Sequence, residues 1–180
     1  MSRRLFFAVP LPSETRKRIQ QEIYPKLTLF QHGLKIVPSQ NLHLTLRFLG
    51  ETPKEKAAGI KEKLGELEQQ SAFEIALKEI GSFHERILWI GIEKGKQELE
   101  KLAGIVSQKL GLEQEPFSAH LTIARNKNLS GNEWKKMVQQ LEQESFEARF
   151  AAESVHLIQS NLKPSGSEYQ IFCEWKLKSH

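Results

Sequence analysis

The chain has a single cysteine, Cys173, in 180 residues. One thiol cannot close an internal disulfide, and cysteine-based zinc spacing is absent, so a reducing, cytoplasmic setting is expected. Cys173 falls within an alternating run near the C-terminus and reads as a packed strand thiol. No stretch approaches the roughly 20 apolar residues that span a bilayer. The opening "MSRRLFFAVPLPSETRKR" has an apolar run too short for a signal sequence, and it reads as a core strand. A Gly-rich phosphate loop of the Walker type, a recognisable RNA-binding module, a low-complexity tract and a long linker are all missing. Any chemistry must therefore be carried by side chains on ordinary strands, helices and turns.

The composition is that of a globular chain. Apolar residues make up 39% and charged residues 27%, and the net charge is +4. The length suits one domain over residues 1–180, with a sizeable core. The mild basicity fits an anionic ligand but carries little weight alone.

Hydrophobic periodicity gives the order of elements. "RLFFAVPL" reads as a buried strand stopped by Pro10 and Pro12. "SETRKRIQQEIYPKLTLF" has Ile19, Ile23, Leu27 and Phe30 at helical spacing and Ser13 as an N-cap, with Pro25 expected to break it. "LKIV" is a short strand. "TPKEKAAGIKEKLGELEQQ" reads as a helix capped by Thr52 with Pro53 at its first position. "AFEIALKEIGSF" and "RILWIGI" read as strands joined across "HE", the second of them central to a sheet. "GKQELEKLAGIVSQKLG" is a helix striped by Leu99, Leu102, Ala103, Val106 and Leu110 and stopped by Gly111. "SGNEWKKMVQQLEQE" is a helix with Ser130 as its cap. "RFAAESVHLIQSNL" and "EYQIFCEWKLK" read as two final strands around "KPSGS". The alternation is α+β and looks doubled, as a two-lobed, pseudo-symmetric molecule would be.

The doubling is sharpest in "NLHLTLRFLG" and "FSAHLTIARN". In a strand, residues i and i+2 share a face, so His43 and Thr45 lie side by side about 6.5–7 Å apart along the backbone. Leu42, Leu44, Leu46 and Phe48 point the other way and are expected to anchor the strand in a core. His120 and Thr122 repeat the arrangement, with Leu121 and Ile123 opposite. Two imidazoles can supply the acid and the base that phosphodiester cleavage needs near neutral pH. Two hydroxyls can donate to phosphate oxygens as charge builds on them. A single His-x-Thr strand is commonplace; two copies with leucine between histidine and threonine are not. Metal ligation is the competing use of these histidines. Neither motif carries a carboxylate or second histidine at ligand spacing, and the nearest acids, Glu51 and Glu115, flank turn-like residues.

The motifs "HLTL" and "HLTI" resemble the paired His-x-Thr-x signature of the two-histidine (2H) phosphoesterases, and in particular the RNA 2′,3′-cyclic phosphodiesterases, or 2′-5′ RNA ligase-like proteins. "RRLFFAVPLP", "VPSQNLHLTLRFLGE", "RILWIGI", "PFSAHLTIAR" and "VHLIQSNLKPSGSEYQIFCEWKL" match that family in order and spacing, over essentially the whole chain. The resemblance departs at Ala119, where the family usually has proline, and at Ile36, where an aromatic residue is common. It implies a bilobal α+β fold with two antiparallel sheets lining a central cleft, helices outside, and one motif per lobe. It implies metal-independent, cofactor-free hydrolysis of an RNA or nucleoside 2′,3′-cyclic phosphate to a 2′-phosphomonoester. His43 would be the proton donor and His120 the proton acceptor, with Thr45 and Thr122 on the phosphate oxygens. Reversible 2′-5′ ligation, tRNA halves as substrates and a monomeric, membrane-free protein are further expectations. Within the family the substrate could also be another cyclic phosphate or a 2′-5′ linkage, and outside it the same cleft could simply bind RNA or nucleotides.

Arg125 stands where the family often has a basic residue. Strict alternation puts it opposite His120, so it reaches phosphate only if the strand bulges or ends near Ala124. Arg47 shares parity with His43 and Thr45 and reads as a solvent-exposed strand arginine. Phe7 is expected in the core, with a stacking role as the alternative, and Tyr169 could border the site or simply pack. His32, His84, His156 and His180 lack repeated context and read as surface or structural histidines.

Overall fold

The computed structural model describes residues 2–164 and 166–179; His180 lies outside them. Among the described residues, nine strands form two antiparallel sheets. The strands are β1 Ser2–Pro10, β2 Leu34–Ile36, β3 His43–Pro53, β4 Phe73–Phe83, β5 Ile87–Lys94, β6 His120–Asn126, β7 Glu147–Ala152, β8 Ser154–Lys163 and β9 Gly166–Lys176. The four-stranded sheet has the order β3-β1-β8-β9, and the five-stranded sheet β2-β6-β5-β4-β7. Six helices accompany them: α1 Ser13–Glu22, α2 Tyr24–Leu27, α3 Lys54–Ala58, α4 Ile60–Lys63, α5 Lys96–Lys109 and α6 Gly131–Glu142. The fold is α+β. The first motif is on β3 of the four-stranded sheet and the second on β6 of the five-stranded sheet.

Burial explains the arrangement. β1 lies between β3 and β8 and is apolar on both faces: Leu5, Phe7 and Val9 enter the main core, while Phe6 and Ala8 join Ile158 in a small cluster on the other face. β5 is the middle strand of its sheet, as its near-continuous apolar run predicts. In α5, Leu99, Leu102, Ala103 and Val106 are buried, and Gly111 follows with φ +64°. Ser130 caps α6 in a reciprocal capping box with Glu133. Glu133 is thereby pulled down to a pKa of about 2, chiefly by hydrogen bonds from Ser130.

The helix expected over residues 13–30 ends at Glu22, because Pro25 cannot donate to the carbonyl four residues back; it restarts as α2 and a 3-10 turn, Thr28–Phe30. Pro12, not Ser13, occupies the N-cap. β3 runs to Pro53, so Thr52 is a strand residue rather than a cap, and the helix expected there is divided at Gly59 into α3 and α4 before the 3-10 turn Gly65–Gln69. "RFAAESVHLIQSNL" divides at Glu153 into β7 and β8, which belong to different sheets. A continuous apolar pattern cannot reveal that switch.

Leu44, between His43 and Thr45, is 1% exposed and anchors β3 from its core face. Leu44→Ala should cost about 2–5 kcal/mol of unfolding free energy by denaturant titration, the usual range for a buried leucine truncation.

Candidate active site

His43 opens β3. Its Nδ1 lies 2.7 Å from the carbonyl oxygen of Asn41, two residues back. A carbonyl only accepts, so Nδ1 carries the proton and Nε2 is left free as an acceptor. The Asn41 side chain donates to the Ser167 carbonyl at 2.8 Å. The β8–β9 hairpin thus curls across the sheet face, and Tyr169 packs edge-on to His43 and to Phe6 with ring centroids 5.5 and 5.1 Å away. Phe6 lies 4.8 Å from the His43 ring.

His120 opens β6 and repeats the bond. Its Nδ1 donates to the Ser118 carbonyl at 2.8 Å, again two residues back. Phe83 meets the ring edge-on at 5.1 Å. Trp89 lies against Phe83 and across Gly81, where a Cβ would stand 2.4 Å from the indole. Among the described residues, no hydrogen bond occupies Nε2 of either His43 or His120. Although β3 and β6 belong to different sheets, they approach within 8 Å between Cα atoms.

Register decides which arginine reaches the site. On β6, Ala124 pairs with Leu88 and Thr122 with Trp89, so Ile123 is an extra, bulged residue. Ile123 and Ala124 are both buried, and Arg125, paired with Ile87, returns to the face of His120 and Thr122. On β3 a bulge has the opposite effect. Thr45 pairs with Ala8 and Arg47 with Phe7, leaving Leu46 over, so Phe48, expected in the core, instead pairs with Phe6 and is exposed. Arg47 therefore leaves the row of Thr45, and its side chain is 11% exposed rather than free in solvent.

The electrostatics are those of a basic pocket. Burial pushes the His43 pKa below its ordinary 6.5, and positive charge on Arg125 and His120 pushes it further, against the stabilising bond to Asn41. Burial raises the Tyr169 phenol, while Arg125 and Arg4 pull it back. A cavity of about 340 Å³ touches Thr45, Arg47, Phe48 and His120, and one of about 500 Å³ runs from His120 over Phe83 and Trp89. Among the described residues there is no group of three or more histidine, cysteine or acidic side chains able to hold a metal ion.

The other candidates fall outside this cleft. Phe7 is fully buried against Trp175. His32 contacts Glu133, His84 sits in the β4–β5 turn with φ +48°, and His156 is buried between Ser154 and Glu174. Cys173 packs partly buried on β9, and burial raises its thiol pKa. Phe6 and Asn41 were not singled out by the sequence. Phe6 had the required strand parity and stands one place from Phe7, which lies in the core as expected, whereas nothing local marks Asn41 as the hairpin's partner. No helix among the described residues is long and apolar enough to cross a membrane.

A family model for the 2′-5′ RNA ligase superfamily matches residues 6–164. The chain is 37% identical to an RNA 2′,3′-cyclic phosphodiesterase of Archaeoglobus fulgidus, over 93% of this chain and 96% of that one. It is 31% identical to one of Methanocaldococcus jannaschii, over 96% and 99%. The crystal structure of Escherichia coli LigT complexed with ATP superposes with a TM-score of 0.78 at 25% identity, covering 99% of each chain.

Because folding lowers the His43 pKa, protonation favours the unfolded chain. The associated stability is present above pH about 6.5 and is lost as pH falls through the lower folded value. Thermal unfolding of His43→Gln followed from pH 8 to 5 should show a shallower acid decline than the wild type.

Proposed function

The chain belongs to the 2′-5′ RNA ligase superfamily, and on that premise we propose that it hydrolyses RNA or nucleoside 2′,3′-cyclic phosphates to 2′-phosphomonoesters by metal-independent acid–base catalysis with two histidines. The observation that carries this reading is the repeated bond. Both imidazoles commit Nδ1 to a carbonyl two residues back and leave Nε2 for chemistry, on two strands that adjoin. A binding module has no need of two matched titrating groups. The relatives' shared name and the ATP carried by the LigT crystal support a nucleotide-bearing phosphate as the ligand class.

In the hydrolytic direction, His120 Nε2 accepts a proton from water as its oxygen attacks phosphorus. The bond from phosphorus to the ribose 3′-oxygen breaks, and His43 Nε2–H protonates that oxygen. The product keeps its phosphate on the 2′-oxygen. Thr45 and Thr122 donate to the non-bridging oxygens, and Arg125 adds a charge-assisted contact. The His43 pKa is lowered chiefly by burial and further by the charges of Arg125 and His120, which works against a donor in the free protein. A phosphate anion beside the ring would offset the charge repulsion and favour the imidazolium that the donor role needs. In the ligase sense, on tRNA halves or other ends, the two histidines exchange roles. A cytoplasmic, monomeric protein completes the reading.

The test is a product-resolved assay on RNA ending in a 2′,3′-cyclic phosphate, after EDTA treatment. Wild type should release only 2′-phosphate ends, with a bell-shaped pH dependence. His43→Ala and His120→Ala should each lower kcat/KM by at least about 100-fold, within the span of general acid–base catalysis. Turnover retained in both variants would overturn the mechanism, and tight binding without turnover at any pH would favour a nucleotide-binding module.

A further inference from the structure

Residues 113–119 carry the backbone into β6, yet no backbone–backbone hydrogen bond holds them among the described residues. The Ser118 carbonyl that orients His120 belongs to this segment. What ties the segment down comes from the first motif's own strand. Arg47 Nη2 donates to the Glu113 carbonyl at 2.9 Å, and Nη1 lies 2.9 Å from the Glu115 carboxylate. The guanidinium is nearly enclosed, and its Nε is buried with no partner among the described residues. Phe117 and Ala119 add apolar packing to the same segment.

We propose that Arg47 is a positioning residue that sets His120 relative to His43 by clamping residues 113–115 to β3. The bulge at Leu46 makes the clamp, since it turns Arg47 out of the Thr45 row and toward the segment. A planar guanidinium suits the task. It can grip a carbonyl and a carboxylate together in fixed geometry, which an ammonium cannot do. Ala119 also leaves φ free at the residue before His120, where a proline would fix it, so the clamp supplies restraint that the backbone lacks. The carbonyl contact is the essential one, because Glu115 is 69% exposed and its ion pair is screened by water.

This inference rests on the catalytic reading above for its kinetic consequences, but its structural part is measurable without substrate. In ¹⁵N-resolved NMR of the free, full-length protein, Arg47→Gln should give His120 a mixture of ring tautomers while His43 keeps its single Nδ1–H form. On a nucleoside 2′,3′-cyclic phosphate, Arg47→Gln should lower kcat by about 10- to 100-fold and leave KM within about 3-fold, in the range expected when a catalytic group is misplaced. Arg47→Lys should fall between, and Glu115→Gln should stay within about 3-fold of wild type. Millimolar guanidinium should restore Arg47→Ala turnover. An unchanged His120 tautomer, or a raised KM with unchanged kcat, would overturn the proposal, the latter by placing Arg47 on the substrate. If the wild type fails to turn over cyclic phosphates, the functional reading fails, and the His120 tautomer still decides the clamp.

Discussion

The geometry of the site depends on one hydrogen bond made twice. In each motif the histidine opens its strand and donates Nδ1–H to the carbonyl two residues earlier. An imidazole on a bare strand could rotate about its side chain and exchange tautomers. This bond removes both freedoms at the point where the backbone changes from turn or coil to strand, and it leaves Nε2 aimed away from the chain. The carbonyl-bearing segments are themselves held from elsewhere: the Asn41 side chain is bonded to the β8–β9 hairpin, and the segment before His120 is bonded to Arg47. Hairpin, motif strands and connecting segment are therefore parts of one support.

The second organising feature is the β-bulge. An extra residue in a strand reverses the parity of everything beyond it. At Ile123 this brings Arg125 to the face of His120 and Thr122, and at Leu46 it takes Arg47 out of the row of Thr45. Two arginines with opposite expectations thus change places. Positive charge on Arg125 adds to burial in disfavouring the His43 imidazolium in the free protein, and a guanidinium on that face suits an anionic ligand.

Much of this was legible in the sequence because it rests on local periodicity. Alternation placed His43 with Thr45 and His120 with Thr122 on one face each, and Leu99 through Val106 on the buried stripe of α5. Ser130 announced its own helix, and Pro25 and Gly111 announced breaks. What could not be read locally depended on partners distant in the chain. The bulge at Ile123 exists only relative to β5, and the division of residues 147–163 between two sheets exists only relative to β4 and β1. Phe6 and Asn41 became site residues through a hairpin more than a hundred positions away. The roles proposed for the two histidines come from the resemblance to a known family, because the near-symmetry of the motifs does not distinguish them.

The central claim is that the two Nε2 atoms face one phosphate. Titrating a 2′-nucleotide, the expected product, into protein with ¹⁵N-labelled histidine tests it most directly. The Nε2 signals of His43 and His120 should shift together with a single dissociation constant, His43 moving toward its protonated form. A response confined to one of the two rings, or two unrelated binding curves, would contradict it.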